Sequence, residues 1–398
     1  MIHSFSFSNF QSFHEEVVVD FSVNSKQARE NDWMAKSTID ETRINKAVMV
    51  VGANAAGKTS ILKALTFLSW FITNSFSLDF NKSIPLNKHL NFLNTDSIFN
   101  IERETNGYIW TYRLVINDNR VVKESLHRTK DRKTLIFDRT WKKHTNSYSV
   151  KAIAEFGGKN KVLLESAREN VSLIAWAAQF NIPIAKQLIK SWSQDESNVT
   201  AIGLDNFGID KLFRAASYFK ENVLNKHSME ELLRRWDFGL SNVNIKPQQT
   251  DPENKDEFFM PYGLHESKSG TFELPFLLES HGTQVAFSLL SKVLPVLSNG
   301  SIAIIDEIET NLHPEIIEQL IGLFASKESN PKNAQILFSS HSLELMNHLH
   351  KSQIYFAEKR DSVSMAYRLD DFNGVREDDN YYAKYRAGVY GALPEIVE

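Results

Sequence analysis

Val50-Val-Gly-Ala-Asn-Ala-Ala-Gly-Lys-Thr-Ser60 is the stretch that decides the fold. Gly52 and Gly57 enclose four residues, and Lys58 and Thr59 follow directly. The apolar residues 47–51 before it read as a buried strand, and residues 60 to about 71 after it read as an amphipathic helix. A strand, a glycine-spaced loop and a helix in that order form a phosphate-binding P-loop. The two glycines let the backbone wrap a β-phosphate. The loop amides, through Asn54, Ala55 and Ala56 to Gly57, and the positive end of the helix at Ser60 supply the field. Lys58 is expected to reach the β- and γ-phosphates, and the Thr59 hydroxyl to ligate Mg²⁺. A nucleoside triphosphate is the expected ligand.

Around that stretch the composition is ordinary for a globular chain: 398 residues, 42% hydrophobic and 24% charged. Such a length holds one large domain or two moderate ones. A net charge of −4 with a pI near 6.3 argues against a globally basic nucleic-acid coat and leaves room for a local basic groove. The absence of cysteine excludes disulfides and thiolate metal sites. No basic segment followed by an apolar core opens the chain, and the longest apolar stretch, 64–78, is too short and too polar to span a bilayer. A cytoplasmic protein with no membrane partner is expected.

Before the P-loop, residues 2–7 and 17–21 read as two strands, and the polar residues 23–45 as a loop over the nucleotide. After it, residues 98–103, 108–116, 120–127 and 134–141 are β-runs separated by turn signals, an antiparallel meander. From about 162 to 236 the period becomes helical, with Ile174, Ala177 and Ala178; Leu188 and Trp192; Leu212, Ala216, Phe219 and Val223; Leu232, Leu233 and Trp236. Breaks are expected near 181–183 and 193–206, and a polar linker over 246–255.

Ser301-Ile-Ala-Ile-Ile-Asp-Glu307 is an apolar run ending in two carboxylates, the Walker B arrangement. Asp306 is expected to hold Mg²⁺, and Glu307 to orient and deprotonate the attacking water. A second apolar strand, Gln335-Ile-Leu-Phe-Ser339, leads to His341, placed to hydrogen-bond the γ-phosphate and sense its loss. Upstream lies Glu279-Ser-His-Gly-Thr283 before a helix expected over 285–294, which Pro295 would end or kink. Ser280 and Gly282 at a helix N-terminus make a second anion site. In ABC-type ATPases such a helix docks on the γ-phosphate held by the opposite subunit. Taken alone, Ser280 or Thr283 as a simple N-cap explains the same residues. Lys58 and Asp306 stand 248 positions apart (306 − 58), far more than in compact P-loop kinases or GTPases. A head split by a long insertion, with Ser-x-Gly just before Walker B, is the plan of SMC- and RecF-like ATPases. The expected fold is therefore α/β, an ABC/SMC-type P-loop ATPase head with an antiparallel β-lobe and a helical insertion. The expected parts are 1–150, the N-terminal half of the head with the lobe; 151–240, the insertion; and 241–398, the C-terminal half.

On these motifs the sequence resembles a prokaryotic AAA/ABC-type ATPase family, that of RloA and the AriA subunit of the PARIS anti-phage system. Asn9-Phe-Gln-Ser-Phe13, Asp237-Phe-Gly-Leu240, Asp306-Glu-Ile-Glu-Thr-Asn-Leu-His-Pro314 and Tyr385-Arg-Ala-Gly-Val-Tyr-Gly-Ala-Leu-Pro394 carry it further. The resemblance implies ATP and Mg²⁺ as cofactors and a homodimer or larger assembly with composite ATP sites. It also implies a separately encoded effector, of TOPRIM nuclease type in several such systems, and a role in anti-phage defence. Gln11 departs from the family, which often has Arg there, and no residue is assigned as an ABC-type Q-loop glutamine, whose equivalent should lie in 97–142. The alternative is a RecF-like DNA-repair ATPase that binds DNA directly. A basic segment, 127–143, with Phe137, Arg139 and Trp141, is the candidate nucleic-acid contact. Asp237-Phe-Gly239 imitates a kinase magnesium motif without a catalytic loop. Only 57 residues (398 − 341) follow His341, fewer than a TOPRIM domain needs, so Asp370, Asp371 and 376–379 read as a solvated acidic face. The tail tyrosines 381, 382, 385 and 390 read as packing.

Overall fold

The structure is a computed structural model and describes residues 1–23, 31–200, 208–251 and 254–393. Ala47–Gly52 is buried along its whole length because both its faces are covered. It lies inside a six-stranded sheet of order Glu196–Ser197, Ile302–Ile305, Gln335–Ser339, Ala47–Gly52, Ile354–Arg360, Val363–Arg368. The first five strands are parallel and the last turns back antiparallel. Side chains alternate across the sheet with the strand period of two. Val48, Val50, Ile304 and Leu337 enter one core, and Met49, Val51, Ile305 and Phe338 enter another.

The helix Lys58–Asn74 and a seven-stranded antiparallel sheet close the first core. That sheet runs Ser147–Ala152, Lys133–Lys142, Val121–Thr129, Tyr108–Ile116, Ser97–Thr105, Ile2–Ser8, Val17–Asp20, so the meander gains one strand and joins the opening pair. The expected helical insertion straddles the parallel sheet. Its helices Leu173–Gln179 and Pro183–Trp192 pack into the first core, and Ile209–Glu221 and Val223–Arg235 into the second. Between them it contributes Glu196–Ser197 as the edge strand, parallel to Ile302–Ile305; residues 201–207 of the expected break lie outside the described residues. Val223 is 71% exposed rather than on the apolar face, because one helix ends at Glu221 and the next begins at Val223. Tyr381, Tyr385 and Tyr390 are buried in the second core, whereas Pro394 lies outside the described residues. Among the described residues no helix is long and apolar enough to cross a membrane.

Three local expectations are overturned. Within 23–45, Met34–Lys36 pairs with Arg43–Asn45, and the Lys46 N–H donates to the Trp33 carbonyl at 2.8 Å. This hairpin sits at the start of the P-loop strand, roughly 20 Å of extended chain from Gly52, not over the nucleotide; residues 24–30 lie outside the described residues. The 246–255 stretch is no linker: Asn242–Asp251 pairs along Asn254–Ser267, which also carries Gly270–Pro275, with 252–253 outside the described residues. An antiparallel ribbon with a wet face tolerates such polarity. The helix expected over 285–294 runs from His281 to Asn299 through Pro295 and stops at Gly300, whose φ of 75° suits only glycine readily.

Candidate nucleotide site

The phosphate loop leaves its strand at the carboxyl end of the parallel sheet, where open α/β folds hold ligands. A Cβ on Gly52, at φ +151°, would lie 2.2 Å from the Ala357 carbonyl oxygen, and one on Gly57, at φ +112°, would lie 2.8 Å from the Phe13 ring. Both positions therefore demand glycine. The opening 9–13 stretch is a floor for the loop: Phe13 lies under Gly57, and Gln11 Oε1 accepts from Ser60 Oγ at 2.8 Å. Asn54 and Ala55 are exposed at the loop's tip, with Ala55 at φ 61°, and Ala56 is buried. The helix from Lys58 has no acidic residue in its first turn and no side-chain cap, so its N–H end is left for an anion.

Lys58 is buried and donates to the carbonyls of Gly52 at 3.0 Å and Ala53 at 3.1 Å. Burial lowers its pKa, against the opposing pull of Asp306, Glu307 and Glu309. Its bonded partners are neutral carbonyls, and a phosphate oxygen is a stronger partner for an ammonium. Thr59 Oγ1 donates to Asp306 Oδ2 at 2.7 Å. A hydroxyl and a carboxylate oxygen at that separation fit Mg²⁺, which takes hard oxygen ligands at adjacent octahedral positions.

The Asp306–Glu307 turn is braced from two sides. Ser339 Oγ donates to Asp306 Oδ1 at 2.5 Å and accepts the Glu307 N–H at 2.8 Å. Asn198 brackets the Asp306 main chain: its Oδ1 accepts the N–H at 2.7 Å and its amide donates to the carbonyl at 2.9 Å. Glu307 sits at φ 48°, a sparsely populated region for a side-chain-bearing residue. The turn presents the two carboxylates differently, Asp306 buried and Glu307 half-buried. Glu309 accepts from Ser340 Oγ and from the His341 N–H, each at 2.7 Å, while the His341 side chain is exposed.

Lys58, Thr59, Asp306 and Glu307 are thus brought together, with the His341 segment joined to them through Glu309. Ser280 and Gly282 are not. Ser280 Oγ accepts the Thr283 N–H at 3.1 Å, an N-cap, and a Cβ on Gly282 would lie 3.0 Å from the Asn311 carbonyl and 3.9 Å from Phe238. Their helix packs in the second core, on the opposite face of the sheet from the helix of the P-loop.

Region 97–142 contains no glutamine, and a side chain that braces Asp306 is Asn198, because the sheet's edge strand comes from the insertion. At 108 residues from Asp306 it has no spacing rule to announce it. Ser339 did leave a trace, a hydroxyl closing a strand that is buried throughout.

The basic segment is also corrected. Arg139 and Phe137 are fully buried, and Arg139 pairs with Glu124. The exposed Lys130, Arg132 and Lys133 lie at one end of the strand Lys133–Lys142, and Lys142 and Lys143 at the other, roughly 30 Å away and not in one patch.

The strand order and the motif positions make an α/β P-loop fold, with the loop at the carboxyl end of a parallel sheet. The family described as "AAA domain, putative AbiEii toxin, Type IV TA system" matches residues 47–347, and the chain belongs to it. No curated protein matches the sequence. Among solved structures, the chain is similar to an Smc head bound to the C-winged helix domain of ScpA, at 14% identity over 92% of this chain and 97% of that one, TM-score 0.43. It is similar to an Smc head with a coiled coil and joint from Pyrococcus yayanosii, at 12% identity over 97% and 99%, TM-score 0.44. A third is the recombination mediator RecF, at 12% identity over 92% and 98%, TM-score 0.34.

Proposed function

We propose that the protein binds ATP with Mg²⁺ at residues 52–60 and hydrolyses it, and that ATP draws two chains into a dimer with composite sites. In this reading Lys58 and His341 meet the γ-phosphate, Thr59 and Asp306 hold Mg²⁺, and Glu307 orients and deprotonates the attacking water. The bound metal would neutralise the developing phosphate charge. The observation that carries the reading is the 2.7 Å contact of Thr59 with Asp306, made across 247 residues of sequence. Ser280 and Gly282 would serve the site of the second chain, which accords with their helix packing on the opposite face of the sheet from the helix of the P-loop. By the resemblance of the sequence and the toxin system in the family's description, the dimer or a larger assembly would control a separately encoded effector, of TOPRIM nuclease type, in anti-phage defence. Of the basic segment, the exposed group Lys130, Arg132 and Lys133 would be the part that touches nucleic acid.

The test is solution mass by light scattering, with and without Mg-ATP, for the wild type and Glu307→Gln. Loss of the general base should leave nucleotide binding intact and hold the larger species only when ATP is present. An unchanged mass, together with unchanged ATP turnover in Ser280→Arg, would show that no composite site forms.

A further inference from the structure

We infer that Glu309 is a positioning residue, which holds the backbone of Ser340–His341 so that the His341 ring is presented to the nucleotide. This rests on the ATPase reading above.

The observation is a division of labour within four residues. The His341 main chain is held and its side chain is left exposed. Both oxygens of Glu309 serve that end: Oε1 takes the His341 N–H and Oε2 takes the Ser340 hydroxyl, each at 2.7 Å. The same hydroxyl accepts the Ser342 N–H at 3.0 Å, so one carboxylate organises three consecutive residues. Glu309 is itself fixed. Ile308, before it, is 2% exposed and donates its N–H to the Ser339 carbonyl at 3.2 Å, and Thr310 N–H closes a turn onto Glu307 at 3.0 Å. A histidine that merely finished a strand would be buried or bonded through its ring. Here the backbone is tied, and among the described residues the exposed ring has no hydrogen-bond partner.

The chemistry asks for two acceptors at that reach. Glutamine keeps one acceptor for the His341 N–H and can donate to Ser340, whose hydroxyl can reverse. Alanine supplies neither. An effect exerted through charge on Lys58, which Glu309 also influences, would instead be lost in glutamine and alanine alike.

Steady-state Mg-ATP turnover, nucleotide affinity and melting temperature should be measured for the wild type, E309A, E309Q, H341A and E309A/H341A. His341→Ala should lower kcat by about 10²-fold, and Glu309→Ala by a comparable factor with KM changed less than about threefold. Glu309→Gln should stay within about threefold of wild type, and the double variant should be no slower than H341A, as for two residues acting as one unit. A double variant as slow as the product of the two single losses overturns the inference, and so does a glutamine variant as slow as the alanine. If E309A does not fold, E309Q and Ser340→Ala decide, the second expected to lose a smaller factor than H341A and to overturn the inference if it loses none. Wild-type turnover in H341A would remove the histidine role and this inference with it, while absent turnover in the wild type would remove the ATPase reading itself.

Discussion

The Arg139–Glu124 pair of the antiparallel sheet and the Lys58–Asp306 group at the end of the parallel sheet hold similar charges on opposite terms. Arg139 and Glu124 are both 0% exposed. Glu124 accepts from Tyr112 Oη at 2.8 Å, Ser172 Oγ at 2.8 Å, the Leu173 N–H at 2.9 Å and Arg139 at 3.4 Å. Arg139 donates to the carbonyls of Ala167, Arg168 and Val171 and lies 3.7 Å over the Tyr148 ring. Burial, with the Glu124 carboxylate beside it, pushes the Tyr112 phenol up. That cluster joins the meander to the helix Leu173–Gln179 and is closed off from solvent, with Arg139 Nε left without a partner among the described residues. At the phosphate loop Asp306 is as deeply buried, but Lys58 holds only carbonyls, and Thr59, Glu307 and His341 reach solvent in part. Burial of charge alone does not mark a functional site. Charge held by weak partners at an open edge does.

The sharpest way to break that contrast is to remove one acid from each group. Glu124→Ala strands Arg139 in the core and should cost about 3–5 kcal/mol, a third or more of a typical domain's stability. Its molecules that remain folded should bind nucleotide as the wild type does. Asp306→Ala should do the reverse, lowering Mg-dependent turnover by at least ~10²-fold while the urea midpoint moves little. Urea titration and turnover on both variants check this. Equal losses in both assays for both variants would erase the distinction.

The same contrast explains what could be read without coordinates. The P-loop, Walker B and His341 strands were legible because each joins a buried apolar run to a polar end, and strand ends are where a parallel sheet places its chemistry. The meander was legible from alternation and turns. Arg139 misled because a basic residue on an alternating strand faces water or core according to register, and its partners, Glu124 and the 167–171 carbonyls, are remote in sequence. The 246–255 strands were hidden by polarity that a wet ribbon permits. The hairpin 34–45 was misplaced because nothing local says to which end of the P-loop strand it returns. Asn198 was invisible for the same reason, since two hydrogen bonds to a main chain leave no motif.

Asn198 is a middle case, half-buried where Glu124 is fully buried, and it touches the main chain of Asp306. Asn198→Ala leaves the Asp306 N–H and carbonyl unpaired and should cost about 1–2 kcal/mol. It should also slow turnover roughly tenfold as Asp306 loosens, with a larger Mg²⁺ requirement. Asn198→Asp keeps an acceptor for the N–H but sets a second oxygen against the carbonyl and a charge beside Asp306. It should therefore be the worse of the two. Turnover as a function of Mg²⁺ concentration separates these outcomes, and equal curves for the two variants would mean that Asn198 only fills space.

Glu104 supplies the smallest and most graded case. It is buried, and its own carboxylate can be titrated. Burial alone would raise its carboxyl, but hydrogen bonds from His3, Thr38 and Ser37 outweigh that and hold its pKa at about 2, against an ordinary 4.5. Above 4.5 the group is ionised in both the folded and the unfolded chain, and the bonds contribute in full. As the pH falls from about 4.5 towards about 2, the unfolded chain takes up its proton first, so the contribution is lost across that window. It is worth up to ~3 kcal/mol, and less because solvent screens the pair. Other carboxylates titrate nearby, Asp40 among them with a lowered pKa, so the test is the difference between wild type and Glu104→Gln. Their urea midpoints should differ most at pH 7, less at pH 4, and converge below about pH 2. A difference that holds constant with pH would mean that packing, not the charge, is what Glu104 contributes.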